Sequence, residues 1–245
     1  MSAPIPVTHL FDFEFPLAYR RRPPAVDGSL EGWTDRELLP LFSELDGRRP
    51  FAPVWSCWND EGLYIATRII GKRLAPVCDV EQYWKGDNLR VMTDTRDTRD
   101  NRRATRFCRQ FYFLPVGGGA AARNPVGGSA PVVGAIEHSR EAQPPVTSKT
   151  GVPKKDDRPD DDGAGQARAE AGTVHVASRV TANGYALEGF ISREALVGFD
   201  PDEHPRIGFF YMLEDREFGQ QYLTIGDELN WHMDPSTWAT AVLAR

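Results

Sequence analysis

Apolar and polar positions alternate along this chain in short bursts, with almost no long stripe at helical spacing. VWSCW (54–58) and LYIATRII (63–70) are rich in aromatic and β-branched residues, and the Asn59-Asp60-Glu61-Gly62 break between them ends on a glycine that tolerates positive φ. That pattern predicts a hairpin. A second is predicted from VHVASRV (174–180) to YALEGFI (185–191), joined around Asn183-Gly184, the strongest short hairpin dipeptide. Along its return strand Tyr185, Leu187, Gly189 and Ile191 point one way, with Ala186, Glu188 and Phe190 opposite. Further strands are predicted at NLRVMTD (88–94), RQFYFLP (109–115), RIGFFYML (206–213) and TAVLA (240–244). Helix is scarce: Ser192 caps a short turn that Gly198 terminates, and Asp35 to Leu45 is the other helical candidate. The whole reads as one all-β domain over 1–245, an antiparallel β-sandwich.

One stretch breaks the pattern. Residues 117–172 are rich in Gly, Pro and charge and poor in core-forming side chains, so they are expected to form a mobile insertion within the domain, with PVVGAIEHSRE (131–141) as a strand inside it. Composition agrees with a turn-rich β protein: 245 residues contain 22 Gly and 19 Pro. The formal net charge of -6 argues against nucleic acid or an anionic membrane as partner, and the basic run from Arg96 to Arg109 is interleaved with Asp97 and Asp100. Three cysteines, Cys57, Cys78 and Cys108, without a CxxC pair fit neither a disulfide framework nor a zinc site and are expected as small core residues. The amino-terminal segment has no cationic start followed by an apolar run, and no apolar stretch is long enough to span a bilayer, so the chain reads as soluble and cytoplasmic.

Candidate chemistry lies in the tryptophans. An exposed indole offers a flat, rigid surface that covers the axial C–H patch of a sugar ring, a contact worth about 1 to 3 kcal/mol. Trp84, followed by Lys85-Gly86-Asp87, and Trp231, between Asn230 and His232, have the turn-forming polar flanks such a platform needs. Trp55 and Trp58 lie in a strand on opposite faces, so at least one belongs to the core.

The order VDGSLEGW (26–33), WNDEGLYIATRI (58–69), WKGDNLRVMTDTR (84–96), NGYALEGFISREALVGFDP (183–201), RIGFFYMLED (206–215) and NWHMDPSTWATAVL (230–243) resembles family 9 carbohydrate-binding modules and their DOMON-like relatives. The resemblance covers most of the chain outside residues 1–25 and the insertion. It implies a sandwich in which two tryptophans grip a sugar at the end of an oligosaccharide or polysaccharide chain. On that reading Trp84 and Trp231 are the clamp, with Asn230, Arg90 and Asp87 as polar contacts. It also implies an extracellular setting and, as in many members, a structural Ca²⁺, for which Asp94, Asp97, Asp100, Asn101 and the acidic run 156–162 offer oxygen ligands. Where the family's strand has a carboxylate this chain has Arg90, a donor in place of an acceptor, which points to an acidic sugar. Trp238, Ala239 and Glu188 occupy motif positions that read as structural.

No catalytic residue is assigned, and no metal ligand either. Paired carboxylates such as Asp87, Asp94, Glu188 and Asp215 are what a glycosidase would need, but any acidic protein has such pairs. No Gly-x-Ser-x-Gly elbow is present. Haem ligation of the kind some DOMON relatives use would fall to Met92 or Met212 with His232. The alternative to sugar binding is a structural or protein-interaction sandwich whose clamp has decayed.

Overall fold

The computed structural model describes residues 7–135 and 174–245. Its strands are β1 (Glu14–Pro16), β2 (Ala18–Tyr19), β3 (Val54–Asn59), β4 (Gly62–Ile70), β5 (Asn88–Asp94), β6 (Cys108–Gly118), β7 (Asn124–Pro131), β8 (Val174–Thr181), β9 (Gly184–Ser192), β10 (Arg206–Asp215), β11 (Gly219–Tyr222) and β12 (Ala239–Val242). One sheet runs β1-β12-β10-β5-β6-β7, with β11 also on β10; the other runs β2-β3-β4-β9-β8. Both predicted hairpins form, with Asn59 opposite Gly62 and Thr181 opposite Gly184. The two strands missed at the amino terminus add parallel pairs, β1 on β12 and β2 on β3, so each sheet is mixed at one edge.

Alternation places the core between the sheets. Leu63, Ile65, Ile69, Tyr185, Leu187 and Ile191 of one sheet meet Leu89, Val91, Phe111, Phe113, Phe209 and Leu213 of the other, all buried. Phe113 lies directly on Gly189, where a Cβ would stand 2.3 Å from its ring. Trp58 is fully buried in this layer and donates its indole N–H to the Leu17 carbonyl at 3.0 Å. Cys57 and Cys108 are buried and Cys78 is half-buried, all three as free thiols, and burial pushes each thiol up, Cys57 and Cys78 to about 12. The helical candidate at Asp35 to Leu45 resolves into two short 3-10 helices, Asp35–Glu37 and Phe42–Asp46. Among the described residues no helix is long and apolar enough to cross a membrane.

Part of the predicted insertion is sheet. Gly117 and Gly118 end β6, and Asn124–Pro131 is β7, a strand against β6. Glycine is unfavourable in strands unless something needs the space. Here Tyr112 needs it: its register partner is Gly128, where a Cβ would stand 2.3 Å from the phenol oxygen. Of the strand expected at 131–141 only Pro131 is strand, as the last residue of β7; residues 132–135 turn instead, with the Ala135 N–H on the Val132 carbonyl at 3.0 Å, and the remainder from 136, with the insertion to 172, lies outside the described residues.

Glu188, on the outward face of β9, is 1% exposed. One carboxylate oxygen accepts the backbone N–H groups of Asp27 and Gly28, and the other accepts the Trp33 indole N–H at 2.9 Å. Gly28 has φ 81°, and a Cβ there would press to 2.8 Å from the Ser178 backbone. The Asp-Gly…Trp opening and the Glu of the return strand are thus two halves of one lock that fastens the 27–33 loop over the second sheet.

Candidate functional site

The stretch before β5 is a loop closed on itself. The Val77 carbonyl accepts the Asp87 N–H at 2.9 Å, the Asp87 carboxylate accepts the Val77 N–H at 2.7 Å, and Cys78 pairs with Gly86 as an isolated bridge. Gly86 has φ 87°, and a Cβ would meet the Val77 carbonyl oxygen at 2.1 Å, so only glycine fits. Asp87 itself is fully buried and receives Lys72 Nζ at 2.8 Å; the same ammonium reaches Asp215 at the end of β10 at 2.5 Å. Lys72 is thereby clamped between two buried carboxylates. Burial pulls its ammonium down, but the two carboxylates outweigh this and leave it above its usual value. Burial lifts the carboxyl of Asp87 above the ordinary range; Asp215, which burial also lifts, is held below it by Lys72 and by the Glu217 and Phe218 N–H groups.

At the tip of this loop Tyr83 stacks on Tyr112 of β6 at 4.2 Å with planes 10° apart, and its hydroxyl accepts Gln110 Nε2 at 2.8 Å. Trp84 packs edge-on against Tyr83 at 5.1 Å and is 42% exposed. The small turn glycine and the large aromatic therefore have separate tasks: Gly86 and Asp87 tie the loop, and the tie holds Trp84 out over the sheet.

Below Trp84, the outer face of β5, β6 and β10 forms the floor of a 460 Å³ cavity that Trp84, Arg90, Glu214, Asp227 and Trp231 line. Its size lies within the range of roughly 300 to 1,000 Å³ common for small-molecule sites. Arg90 crosses the floor. Its Nε donates to Asn88 at 3.1 Å, an Nη lies 3.1 Å from the Met212 sulfur and 3.6 Å from Glu214, and the guanidinium stands 5.0 Å over the Trp231 ring. Burial draws the Arg90 guanidinium down from its usual value, and Glu214 opposes that; burial raises the Glu214 carboxyl, and Arg90 opposes that.

Three of the five residues read from the sequence, Trp84, Trp231 and Arg90, meet at this cavity. Two do not line it. Asp87 spends its carboxylate on Lys72 and Val77, and Asn230 is exposed nearby, where its carbonyl closes the turn to Met233 and Asp234. Trp231 is 2% exposed, stacked on Phe210 at 5.1 Å and roofed by Arg90, with its N–H given to Asp227 at 2.9 Å. A clamp of two open indoles is therefore absent from this arrangement. The acidic-sugar expectation also loses its basis, because Arg90 shares the cavity with two carboxylates, Glu214 and Asp227. Hydroxyl acceptors come from β10 and the loop after β11, and Gln110 and Gln220 add amides.

Of the oxygen ligands suggested for Ca²⁺, Asp94 accepts from Arg96 and Thr98 and Asp97 from Thr240 and the nearby arginines, while the run 156–162 lies outside the described residues. Among the described residues no group of three His, Cys, Asp or Glu is placed to hold a metal. Met212, a haem-ligand candidate, has its sulfur against Arg90, and Met92 is fully buried.

No family model matches the sequence, and neither does any curated protein. Solved structures do match. The fold is that of family 9 carbohydrate-binding modules. One such module from Caldicellulosiruptor kristjanssonii matches in its glucose complex with a TM-score of 0.54 at 12% identity, over 94% of this chain and 95% of that one. In its cellotriose complex the TM-score is 0.50 at 10% identity, over 94% and 92%. A Bacteroides uniformis protein described only provisionally as carbohydrate-binding matches with a TM-score of 0.50 at 10% identity, over 95% and 99%. At these identities the family 9 likeness concerns architecture, two sheets and the loops between them.

Proposed function

We propose that this chain is a non-catalytic carbohydrate-binding module that takes a neutral sugar into the cavity beneath Trp84. The observation that carries the reading is an indole 42% exposed, held at the rim of that cavity by an aromatic stack and facing a floor of paired polar groups. The sugar's C–H face would lie on Trp84, and its hydroxyls would exchange bonds with Glu214, Gln110, Gln220 and Asp227. Trp231 would act first as a wall, and would offer a second stacking face only when Arg90 swings off its ring toward Glu214. Support comes also from the two matching family 9 structures, whose bound molecules are cellotriose and glucose.

Calorimetric titration with cello-oligosaccharides and glucose tests this. Replacing Trp84 by Ala should weaken binding about tenfold to a hundredfold, the equivalent of about 1.4 to 2.8 kcal/mol of lost stacking. Because Trp84 is exposed, the thermal midpoint should barely move. Equal affinity in the two proteins would remove the site. Turnover of a chromogenic glycoside that is lost in Glu214→Gln would replace the binding reading with a hydrolytic one.

A further inference from the structure

A cavity larger than the one beneath Trp84 lies at the other end of β5. That strand leaves the Trp84 loop at Asn88 and ends at Asp94, roughly 20 Å on at strand rise. Two residues later, Arg96 lines a cavity of 680 Å³ with Ala104, Thr105, Arg106, Phe107 and His204, and no carboxylate is in the lining. In a chain with a net charge of -6, such a cationic hollow runs against the overall balance.

Its arginines are held without being neutralised. Arg96 donates to the Thr95 and Gly198 carbonyls at 3.0 and 2.7 Å, both uncharged acceptors, and its guanidinium lies 4.3 Å from the Phe107 ring centre. Arg106 lies 4.8 Å from the same ring centre, is exposed, and has no carboxylate at ion-pair distance among the described residues. Two guanidiniums gathered on one aromatic ring thus line the hollow, with fork-shaped donors that no carboxylate among the described residues answers. A carboxylate matches the fork, and a flat π-system matches the planar face. The lining also has apolar surface in Ala104 and Phe107, and the volume far exceeds that of a bare oxyanion.

We propose that this cavity is a second binding site, for a planar aromatic carboxylate, independent of the sugar site. The test uses the full chain, with trans-cinnamate as the probe and cinnamamide and inorganic phosphate as comparisons, in isothermal titration at low salt. Cinnamate should saturate with a dissociation constant below about 1 mM, and the amide should bind at least about tenfold more weakly because it lacks the charge. Arg106→Gln, an exposed substitution that spares the Gly198 contact, should weaken cinnamate about tenfold with an unchanged melting curve. Trp84→Ala, at the opposite end, should leave cinnamate binding as it was. No saturation in the millimolar range, equal binding of the amide, phosphate binding as tight as cinnamate, indifference to Arg106→Gln, or loss on Trp84→Ala would each overturn the assignment.

Discussion

Replacing Lys72 by Met probes what fastens the Trp84 loop. In the native protein one ammonium answers two carboxylates, Asp87 at 2.8 Å and Asp215 at 2.5 Å, and all three groups are at most 4% exposed. Methionine fills similar volume but leaves two like charges buried together. Each keeps backbone donors, Val77 and Arg216 for Asp87 and Glu217 and Phe218 for Asp215, so the ions are not left bare. Removing one partner of a buried ion pair costs about 3 to 5 kcal/mol. For a chain of this length each kcal/mol moves the midpoint about 2 to 4 °C, so the fall should be roughly 6 to 20 °C. Protonation of either carboxyl relieves the repulsion, and the gap to wild type should narrow as pH drops into the carboxylate range. Differential scanning calorimetry at pH 7 and pH 4 reads both effects, and Trp84 emission reports the loop. Adding Asp87→Asn and Asp215→Asn to the variant should restore much of the loss, because no unpaired ion then remains. A midpoint within 1 °C of wild type at pH 7, or a gap that widens on acidification, would refute the ion-pair account of the anchor.

Glu188→Gln should destabilise by about 2 to 3 kcal/mol in urea unfolding, because an amide N–H₂ must face either the Trp33 indole N–H or the paired N–H groups of Asp27 and Gly28. Gly86→Ala should displace the loop tip and cut sugar affinity by more than it cuts stability, since its Cβ collides with the Val77 carbonyl oxygen rather than with the core. Compared by titration and melting, equal fractional effects would contradict this. At alkaline pH the raised ammonium of Lys72 gives stability that is complete below its unfolded value of 10.5 and is lost as pH climbs through the folded one. The melting temperature should therefore fall above about pH 10.5, and less steeply in the Lys72→Met variant.

What this chain's sequence determined by itself was the set of strands whose order is local. Period-two alternation and the Gly62 and Gly184 turns suffice for β3–β4 and β8–β9, since strand character and hairpin register depend on neighbours a few residues away. The polar flanks of Trp84 likewise told of an indole at a loop tip, and Glu188 was legible as structural though not as the partner of the Asp-Gly…Trp opening. Tertiary structure alone decided the rest. Gly127 and Gly128 look like insertion until Val174 and Val176 of β8 crowd the first and Tyr112 on the neighbouring strand requires the empty space at the second. Asp87 looks like a ligand contact until Lys72, 15 positions earlier, takes it inward. Trp231 has the same kind of flanks as Trp84, yet Phe210 and Arg90, far away in the chain, enclose it, and Glu214 and Asp227 supply the acceptors that the Arg90 position lacks. Flanking residues report which turns a segment can make; whether a side chain ends in solvent is set by strands that pair across the sheet, and no local pattern encodes that distance.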